Sequence, residues 1–583
     1  MSRYILGLHT GHNASACIGD KAGLAYAVQE ERLTGEKNYW GYPKHAVAAC
    51  LKRVGATPKD LIAVAHGSRQ VFCRYHSRED VLKAYQRQDS VVGKMRQRIA
   101  VPLLIAIRPN WGQDRLQGHL VEQGLGDVTR THHDHHLTHA ATAYYGLRQS
   151  PSEKYLVLTC DGDGDGLCAS VRVMGGGQNE LVAKTTWDSS LGALYSWTTF
   201  GMGFVPLEHE YKLMGMAPYA SERATAEMAA VFAQYLGLDE SGLGFRRKTL
   251  KRTSELKESL YADMRGRRFD WICAGLQRFT EDLLCGWAAN AVRKTDQHRL
   301  LAAGGVFMNV KANKRIAELP DVESFEAAPS CSDETLSLGA FWLEAAQRFG
   351  DEAVKPLNGF YLGDSPEDGD MVESIKRSGF RYEKPADMPS AVAKVLAAGH
   401  PLARCAGPME FGARALGNRS ILADPKNQDV VRVINRMVKN RDFWMPFAPM
   451  VMSRRADEYI QNPKRLRSPF MMMTFETHEN FKDLIAAVHN ADLTCRAQIL
   501  EPQQNPEVHG ILEAFEKITG RGVILNTSFN LHGFPIVRTA DDALHVFANS
   551  GLEYLQVGPY LVSKLESLSP RASVHPVESA ITV

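Results

Sequence analysis

The chain has 583 residues, of which 44% are hydrophobic, and it carries 68 basic against 66 acidic side chains. At about 150 residues per domain, this length predicts two to four domains. The composition is that of a folded globular protein and excludes disordered, collagen-like and coiled-coil chains. A net charge of +2 argues against a general nucleic-acid binder, because such proteins need a basic face.

The chain shows no signal for a membrane or for secretion. Its best apolar run, Ile99–Ile107, contains a proline and is far shorter than the roughly 20 residues of a membrane span. The first residues lack a signal-peptide pattern. The ten cysteines are scattered without a CxxC pair, which indicates buried or incidental thiols. We therefore expect a cytoplasmic protein that binds neither membrane nor nucleic acid.

Short apolar strands alternate with helical patterns in the first 350 residues, which predicts an α/β fold. Three of these strands run into glycine-rich turns. Ligands of α/β proteins bind beyond the carboxyl ends of strands, so these turns are candidate ligand sites. The predicted strands are Tyr4–Leu8, Leu24–Val28, Tyr155–Thr159 and Leu300–Ala303, and the predicted helices are Phe279–Val292 and Leu336–Phe349.

A domain boundary is predicted near residues 350–357, where a glycine ends a helical pattern and a linker-like segment follows. The expected units are a domain of residues 1–350, a second α/β domain of residues 357–567 and a tail, 568–583. The second domain is predicted to contain the helix Ala391–Ala398 and the strands Leu402–Cys405, Gly522–Leu525 and Tyr554–Val557.

Five of the 20 histidines lie between residues 132 and 139. His135 and His139 are four residues apart and would share one face of a helix. Asp161 ends a strand, and Asp333 precedes a helix. Two His with one or two Asp suit iron, manganese or zinc. The alternatives are a solvated helix start for the His pair and a plain helix cap for Asp333.

Glycine turns at residues 161–166 and 304–309 leave backbone N–H groups open to an anion. With the turn at residues 10–13, three glycine turns in one α/β block resemble the actin-like and sugar-kinase architecture, in which they surround ATP.

Residues 404–441 contain eight basic and three acidic side chains. Guanidinium and ammonium groups suit phosphate, although a solvated basic helix face is the alternative for some of them. Asp424 and Pro425 are predicted to cap and begin a helix within this segment. The candidate phosphate-binding residues are Arg414, Arg419, Ser420, Lys439 and Arg441.

Eleven motifs in order along the chain resemble the O-carbamoyltransferase family, which includes the nodulation-factor, cephalosporin and tobramycin carbamoyltransferases. The resemblance spans about residues 3–565. The motifs are GHNASA (11–16), EERLTGEK (30–37), HHLTHAATAYY (135–145), DGDGDG (161–166), SLGALYS (190–196), EHEYKLMGMA (208–217), AAGGVFMN (302–309), SDETLSLGA (332–340), EFGARALGNRSILADP (410–425), VKNRDFWMPFAP (438–449) and NTSFNLHGFPIV (526–537).

This resemblance implies two active sites. An N-terminal transfer domain of the actin-like/sugar-kinase-like fold would carry Fe(II) or another divalent transition metal. A C-terminal α/β domain similar to threonylcarbamoyl-AMP synthases would make carbamoyl-adenylate from carbamoyl phosphate and ATP, with Mg²⁺. The carbamoyl group would then pass to a hydroxyl of a small-molecule acceptor, a natural product.

The resemblance also assigns residues. His12 would be the general base, and Lys37 and Arg69 would hold the intermediate. The implied metal ligands are His135, His139, Asp161 and Asp333; the implied nucleotide-binding residues are Gly304, Gly305, Asn309, Lys212, Arg496, Asn526, Ser528 and Asn530; and Lys439 and Arg441 match the phosphate-binding pair.

The sequence departs from the family pattern in three places. Asn13 stands where many members have Asp, and Phe534 stands where many have Glu. Residues 489–492 also differ from the usual motif, which affects the register of Arg496. Segment 73–120 matches no motif and is expected to shape the acceptor pocket.

Three other functions stay open at this point. A kinase of the actin-like class would share the glycine turns, but it needs neither the His pair nor the basic second domain. A non-enzymatic metal or nucleotide sensor would bind without turnover, and a tRNA-modifying enzyme would need a basic face. The oligomeric state also stays open, with a homodimer among the alternatives.

Overall fold

The structure is a computed structural model that describes residues 3–87, 111–357, 359–368, 370–439, 442–479 and 481–565. Residues 3–349, which we call the N-terminal part, contain two five-stranded sheets with the same strand order. The first sheet runs Gly23–Gln29, Ser15–Asp20, Tyr4–His9, Leu61–His66, Arg130–His132, and the second runs Gln178–Thr186, Leu167–Gly175, Tyr155–Gly164, Arg299–Ala303, Ser324–Ala327.

Each sheet begins with an antiparallel three-stranded meander and adds two strands parallel to the first strand. The N-terminal part is therefore duplicated in its structure, although the sequence reveals no repeat. This duplicated sheet is the actin-like/sugar-kinase-like architecture that the sequence predicts. The two copies differ in what joins their strands, because residues 187–298 insert several helices into the second copy.

The two copies meet through equivalent helices. His135–Leu147 follows the last strand of the first sheet, Leu336–Phe349 follows that of the second, and the two helices pack against each other. Twelve of the 13 residues of His135–Leu147 are buried, so this helix lies in the core of the N-terminal part. Its other helices among the described residues are Glu31–Thr34, Lys44–Val54, Arg78–Arg87, Trp111–Glu122, Leu191–Gly201, Glu210–Met216, Glu222–Phe232, Lys257–Met264, Phe269–Thr295 and Val310–Ala317.

Residues 371–565, the C-terminal part, form an eight-stranded mixed sheet between two layers of helices. Alternate residues of one strand show the layering, because Leu402 packs with the helices Met388–Ala397 and Pro506–Thr519, whereas Ala403 packs with the helices on the other face. Those are Met371–Ser378, Asp429–Ile434 and Ala540–Ala548. The strand order is Arg381–Glu383, Tyr560–Ser563, Tyr554–Val557, Leu402–Cys405, Arg419–Ala423, Val523–Ser528, Ala448–Met452, Gln498–Leu500.

The α/β class and the two-domain arrangement are confirmed, and the predicted bounds of three elements are reproduced residue for residue: Leu336–Phe349, Leu402–Cys405 and Tyr554–Val557. The boundary at 350–357 stays a prediction, and the tail 568–583 lies outside the described residues. No helix among the described residues has the length and apolar character needed to cross a membrane.

One predicted helix start is wrong. The helix expected from Pro425 begins at Asp429. Asp424 was expected to be its cap. Its carboxylate instead accepts hydrogen bonds from both terminal nitrogens of Arg521 and from the backbone N–H of Lys426. The Asp424 carboxylate therefore forms a tertiary ion pair with the Arg521 guanidinium instead of capping the helix as predicted.

Candidate functional site

Four side chains from three separate segments converge at the carboxyl ends of the N-terminal strands. The Nε2 atom of His139 lies 3.0 Å from Asp161 Oδ2 and 3.4 Å from Asp333 Oδ1. The Nε2 atom of His135 lies 3.4 Å and 3.8 Å from the same two oxygens. One ligand atom from each residue falls within 4.8 Å of the others, which is close enough for all four to share one ion. The structure thus brings together the four predicted metal ligands.

The fold accounts for this convergence. Asp134 caps the helix His135–Leu147 by accepting the N–H of Leu137 at 3.0 Å, and it thereby places His135 and His139 on the first two turns. Asp161 lies near the end of a central strand of the second sheet. Asp333 begins the short turn that leads into the helix Leu336–Phe349.

Neither structural alternative for these residues holds. His135 and His139 are only 4% and 0% exposed, so they do not form a solvated helix start. Thr335 occupies the capping position of the helix Leu336–Phe349, with no side-chain cap bond. The carboxylate of Asp333 therefore points to the histidines instead of capping this helix.

The electrostatics of the cluster favour ionised carboxylates. Burial opposes the charge of Asp161, but hydrogen bonds from His135 and His139 outweigh it and hold the pKa of Asp161 well below its ordinary value. Burial likewise opposes the charge on His139, yet bonds to Asp161 and Asp333 raise its pKa to about 9. Two anionic oxygens facing two imidazoles are a donor set that fits a divalent transition metal.

Close packing also fits a metal site. A Cβ on Gly164 would lie 2.1 Å from Cδ2 of His135, so glycine is required for the imidazole to rest against the turn. The Nδ1 atom of His135 lies 3.0 Å from Ser68 Oγ, which leaves Nε2 directed at the carboxylates. A ligand imidazole commonly hydrogen-bonds through its other nitrogen in this way.

His12, the predicted general base, lies beside this cluster. It belongs to the two-residue strand Gly11–His12, which pairs with Trp40–Gly41, and its ring meets the Trp40 ring edge-on at 5.5 Å. Burial lowers the pKa of His12, against the opposing pull of the Asp333 and Asp161 carboxylates. A neutral imidazole at this place is able to accept a proton.

Lys37 and Arg69 lie at the exposed rim. Lys37 Nζ is 3.4 Å from one carboxylate oxygen of Glu208, and Arg78 Nε is 2.8 Å from the other. Arg69 is exposed, and its backbone N–H donates to Asp165 at 2.8 Å. The structure places both cations on the N-terminal part.

The glycine turn at 304–309 approaches the cluster. A Cβ on Gly304 would lie 2.3 Å from the carbonyl oxygen of Cys160, and one on Gly305 would lie 3.0 Å from Asp161 Oδ1. Asn309 was predicted to contact a nucleotide, but its side chain bonds groups of the protein itself. Its Oδ1 accepts the N–H of Ala312 at 3.0 Å, and its amide exchanges two 2.9 Å bonds with Gln277. The Asn309 amide therefore caps the helix Val310–Ala317.

The predicted phosphate-binding residues of the C-terminal part separate into two groups. Arg419 is fully buried, and its guanidinium donates to the carbonyl oxygens of Gly407, Asp364 and Arg538 at 2.9, 2.7 and 3.1 Å. Ser420 is also fully buried and accepts the N–H of Gly417 at 3.0 Å. Both side chains therefore bond backbone groups in or near the glycine-rich loop of residues 407–420, and this differs from the predicted phosphate contact.

For the second group, Arg414, Lys439 and Arg441, phosphate binding stays a prediction. Arg414 is partly exposed in the loop that faces the N-terminal part. Lys439 ends the short π-helical stretch Asn435–Lys439, and Arg441 lies outside the described residues. Arg496 follows the strand Thr494–Cys495 and is partly exposed.

Three further nucleotide candidates lie on one strand and the loop after it. Asn526 is buried and donates to the carbonyl of Ala415 at 2.9 Å and to Gln498 Oε1 at 3.0 Å. Ser528 Oγ donates to Asn530 Oδ1 at 2.8 Å. Ser528 and Asn530 are thus neighbours at the carboxyl end of the strand Val523–Ser528, as a shared site requires.

Glu410 is a residue of this loop that the sequence reasoning missed. Its buried Oε1 accepts the backbone N–H groups of Leu416, Asn418 and Arg419 at 2.7, 2.8 and 3.1 Å. The carboxylate therefore occupies three backbone donors of the segment in which a phosphate site was predicted. A Glu embedded in the glycine-rich motif was the available signal.

The loop of the C-terminal part touches the N-terminal part directly. Arg32 Nη2 donates to the carbonyl of Gly412 at 2.8 Å, and the N–H of Gly412 donates to Gln29 Oε1 at 3.3 Å. A Cβ on Gly412 would lie 3.0 Å from Cβ of Ser330, three residues before Asp333. The predicted phosphate loop and the metal-ligand loop therefore lie next to each other.

Comparison with known proteins gives two family matches and several relatives. Residues 4–341 match the model for the carbamoyltransferase N-terminus, and residues 393–564 match that for the carbamoyltransferase C-terminus. Nodulation protein NolNO of Sinorhizobium fredii is 29% identical over 97% of this chain and 83% of its own length. Nodulation protein NolO of Bradyrhizobium diazoefficiens is 31% identical over 77% of this chain and 84% of its own.

Among solved structures, full-length HypF in its phosphate- and nucleotide-bound form is 14% identical, over 60% of this chain and 56% of that chain, with a TM-score of 0.29. The first family model alone covers more than half of the chain. Together with the second model, it shows that the chain belongs to the carbamoyltransferase family and is a transferase.

Proposed function

We propose that this chain is an ATP-dependent O-carbamoyltransferase with one site in each part. The observation that carries the proposal is the convergence of His135, His139, Asp161 and Asp333 within 4.8 Å in the N-terminal part of a carbamoyltransferase. Donor atoms collected from segments as far apart as residues 135 and 333 point to a built site rather than to incidental contacts.

The C-terminal part would activate the carbamoyl group. Carbamoyl phosphate, ATP with Mg²⁺, and water would give carbamoyl-adenylate, phosphate and pyrophosphate. Support comes from the adjacent Ser528 and Asn530 at a strand end and from the basic segment that precedes them. In the adenylate the carbamoyl group is attached to AMP, a good leaving group that the transfer step would release.

The N-terminal part would transfer the carbamoyl group to a hydroxyl of a small-molecule acceptor, which we propose to be a natural product. Neutral His12, half-buried beside the cluster, would take the proton of that hydroxyl. Lys37 and Arg69 at the rim would hold the phosphate of the intermediate. An Fe(II)-type ion held by the four ligands would supply Lewis acidity toward the carbamoyl oxygen.

The proposal is tested by product analysis on the metal-loaded protein. A panel of small alcohols is incubated with carbamoyl phosphate and ATP, and carbamoylated products, AMP and pyrophosphate are followed by mass spectrometry and enzymatic assay. We expect a carbamate ester and AMP, with loss of transfer after chelation. Formation of ADP and a phosphorylated alcohol would instead show a kinase, and transfer at full rate in metal-stripped protein would exclude the metal role.

A further inference from the structure

The third aspartate of the DGDGDG turn has no role in the proposed chemistry, yet its carboxylate is fully engaged. Asp165 Oδ2 accepts the backbone N–H of Arg69 and that of His135, both at 2.8 Å, and Oδ1 accepts the N–H of Gln70 at 2.7 Å. Three backbone donors from two distant segments thus point to one side chain. The turn at 161–166 was predicted to bind an anion through its backbone, but here its own Asp165 carboxylate is the anion that backbone N–H groups bind.

The backbone of Asp165 is built for this task. Its φ angle is +51°, in the left-handed region that Asp and Asn tolerate better than other non-glycine residues. This conformation turns the chain four residues after Asp161 and directs the carboxylate back toward the loop of residues 67–70 and the first turn of the helix His135–Leu147.

Two of the three partners of Asp165 belong to the proposed transfer site. His135 is a proposed metal ligand, and its N–H is the first of that helix, so the bond fixes the end of the helix. Arg69 is the proposed ligand of the intermediate. Ser68 lies between this arginine and the strand Leu61–His66. Its Oγ is 3.0 Å from His135 Nδ1, so the loop of residues 67–70 also holds the His135 ring.

We infer that Asp165 is a positioning residue that fastens the ligand helix and the Arg69 loop to the turn carrying Asp161, and that Ser68 orients the His135 ring within this frame. The inference rests on the proposed metal site. Asp165 sets the distance between His135 and Asp161 and, through the same carboxylate, the place of Arg69 relative to both. Charge-assisted bonds to backbone N–H groups are among the stronger polar contacts, which suits a fixed frame.

The test uses the full chain stripped of metal and titrated with Co²⁺, whose visible d–d absorption reports ligand geometry. In Asp165→Asn an amide N–H would face backbone N–H groups, so the frame should open. We expect the dissociation constant for Co²⁺ to rise between about tenfold and a hundredfold, with a shifted absorption band. Ser68→Ala, which removes a single hydroxyl, should keep the fold and show the same band shift with a smaller loss of affinity.

Asp60→Asn is the matched control. Asp60 accepts the N–H of Thr57 at 2.8 Å at the other end of the strand that leads to Ser68, so its loss should leave Co²⁺ affinity and spectrum unchanged. Wild-type affinity and spectrum in both Asp165→Asn and Ser68→Ala would overturn the inference while leaving the metal site intact. Equal Co²⁺ binding by wild type and His139→Ala would overturn the metal site, and the inference with it.

Discussion

Lys212 Nζ of the N-terminal part lies 2.9 Å from Asp442 Oδ2 of the C-terminal part. Two residues further on, the Trp444 indole donates to the carbonyl of Lys212 at 3.1 Å, and His489 Nε2 lies 2.7 Å from the carbonyl of Gly215. The segment that follows the predicted phosphate pair is therefore attached to the N-terminal part. Lys212, predicted to bind nucleotide, joins the two parts in this structure.

This ion pair should stabilise the interface between the parts. Lys212 and Asp442 side chains are 13% and 28% exposed, so removing one partner leaves a poorly solvated charge. We expect Asp442→Asn and Lys212→Met each to lower the thermal unfolding midpoint by a few degrees, and the double variant to lower it by less than the sum of both. Additive losses in calorimetry would show that the two side chains do not interact.

Arg419 and Arg414 should respond differently to substitution. Arg419→Ala removes a fully buried guanidinium that bonds several carbonyls, leaves those oxygens unsatisfied and should cost about 3 kcal/mol or more. Arg419→Lys should not rescue it, because an ammonium lacks the planar fork. We expect a lower unfolding midpoint and less soluble protein.

Arg414→Ala tests the phosphate prediction without the structural loss. Its side chain is partly exposed, so the variant should fold normally and show a KM for carbamoyl phosphate raised about tenfold or more, because a charge-assisted contact is lost. Initial rates against carbamoyl phosphate measure this. An unchanged KM would remove Arg414 from the phosphate site.

Some residues of the candidate site could be predicted from the sequence, and others could not. The His135 and His139 pair follows from helical spacing, and the family motifs point to Asp161 and Asp333. The roles of Arg419 and Asp165 could not be predicted, because they depend on which backbone groups tertiary packing turns toward them. Asp165 meets partners at residues 69, 70 and 135, and no local pattern encodes such distances.

The fold shows the same division. Elements with a strong apolar period, such as Leu336–Phe349, were predicted with their observed bounds. The helix near Asp424 was placed too early, because the ion pair with Arg521 overrides the local capping signal. The duplication of the N-terminal sheets could not be predicted from the sequence, because the two copies share their strand order but no recognisable sequence repeat.

The two proposed half-reactions should be separable by mutation. Arg441→Ala should weaken phosphate binding and abolish pyrophosphate release, and transfer should fail with it. His139→Ala should remove a metal ligand while pyrophosphate release persists and the acceptor stays unmodified. A coupled pyrophosphate assay and mass spectrometry of the acceptor follow the two steps. Equal loss of both steps in the two variants would favour one composite site between the parts.

Two glycines of the same turn offer a matched pair of variants. In Gly164→Ala the added Cβ would fall 2.1 Å from Cδ2 of His135, far inside van der Waals contact, so the imidazole must leave its place against Asp161. In Gly162→Ala no heavy atom lies within 4 Å of the added Cβ, so the turn should accept it. We expect Gly164→Ala to lose metal affinity by at least tenfold, measured by metal titration, and transfer to fall in parallel, whereas Gly162→Ala keeps both. Because the methyl group adds no charge and removes no hydrogen bond, a loss in Gly164→Ala alone traces metal binding to the position of the His135 ring. Equal affinity in the two variants would mean that His135 is not a ligand.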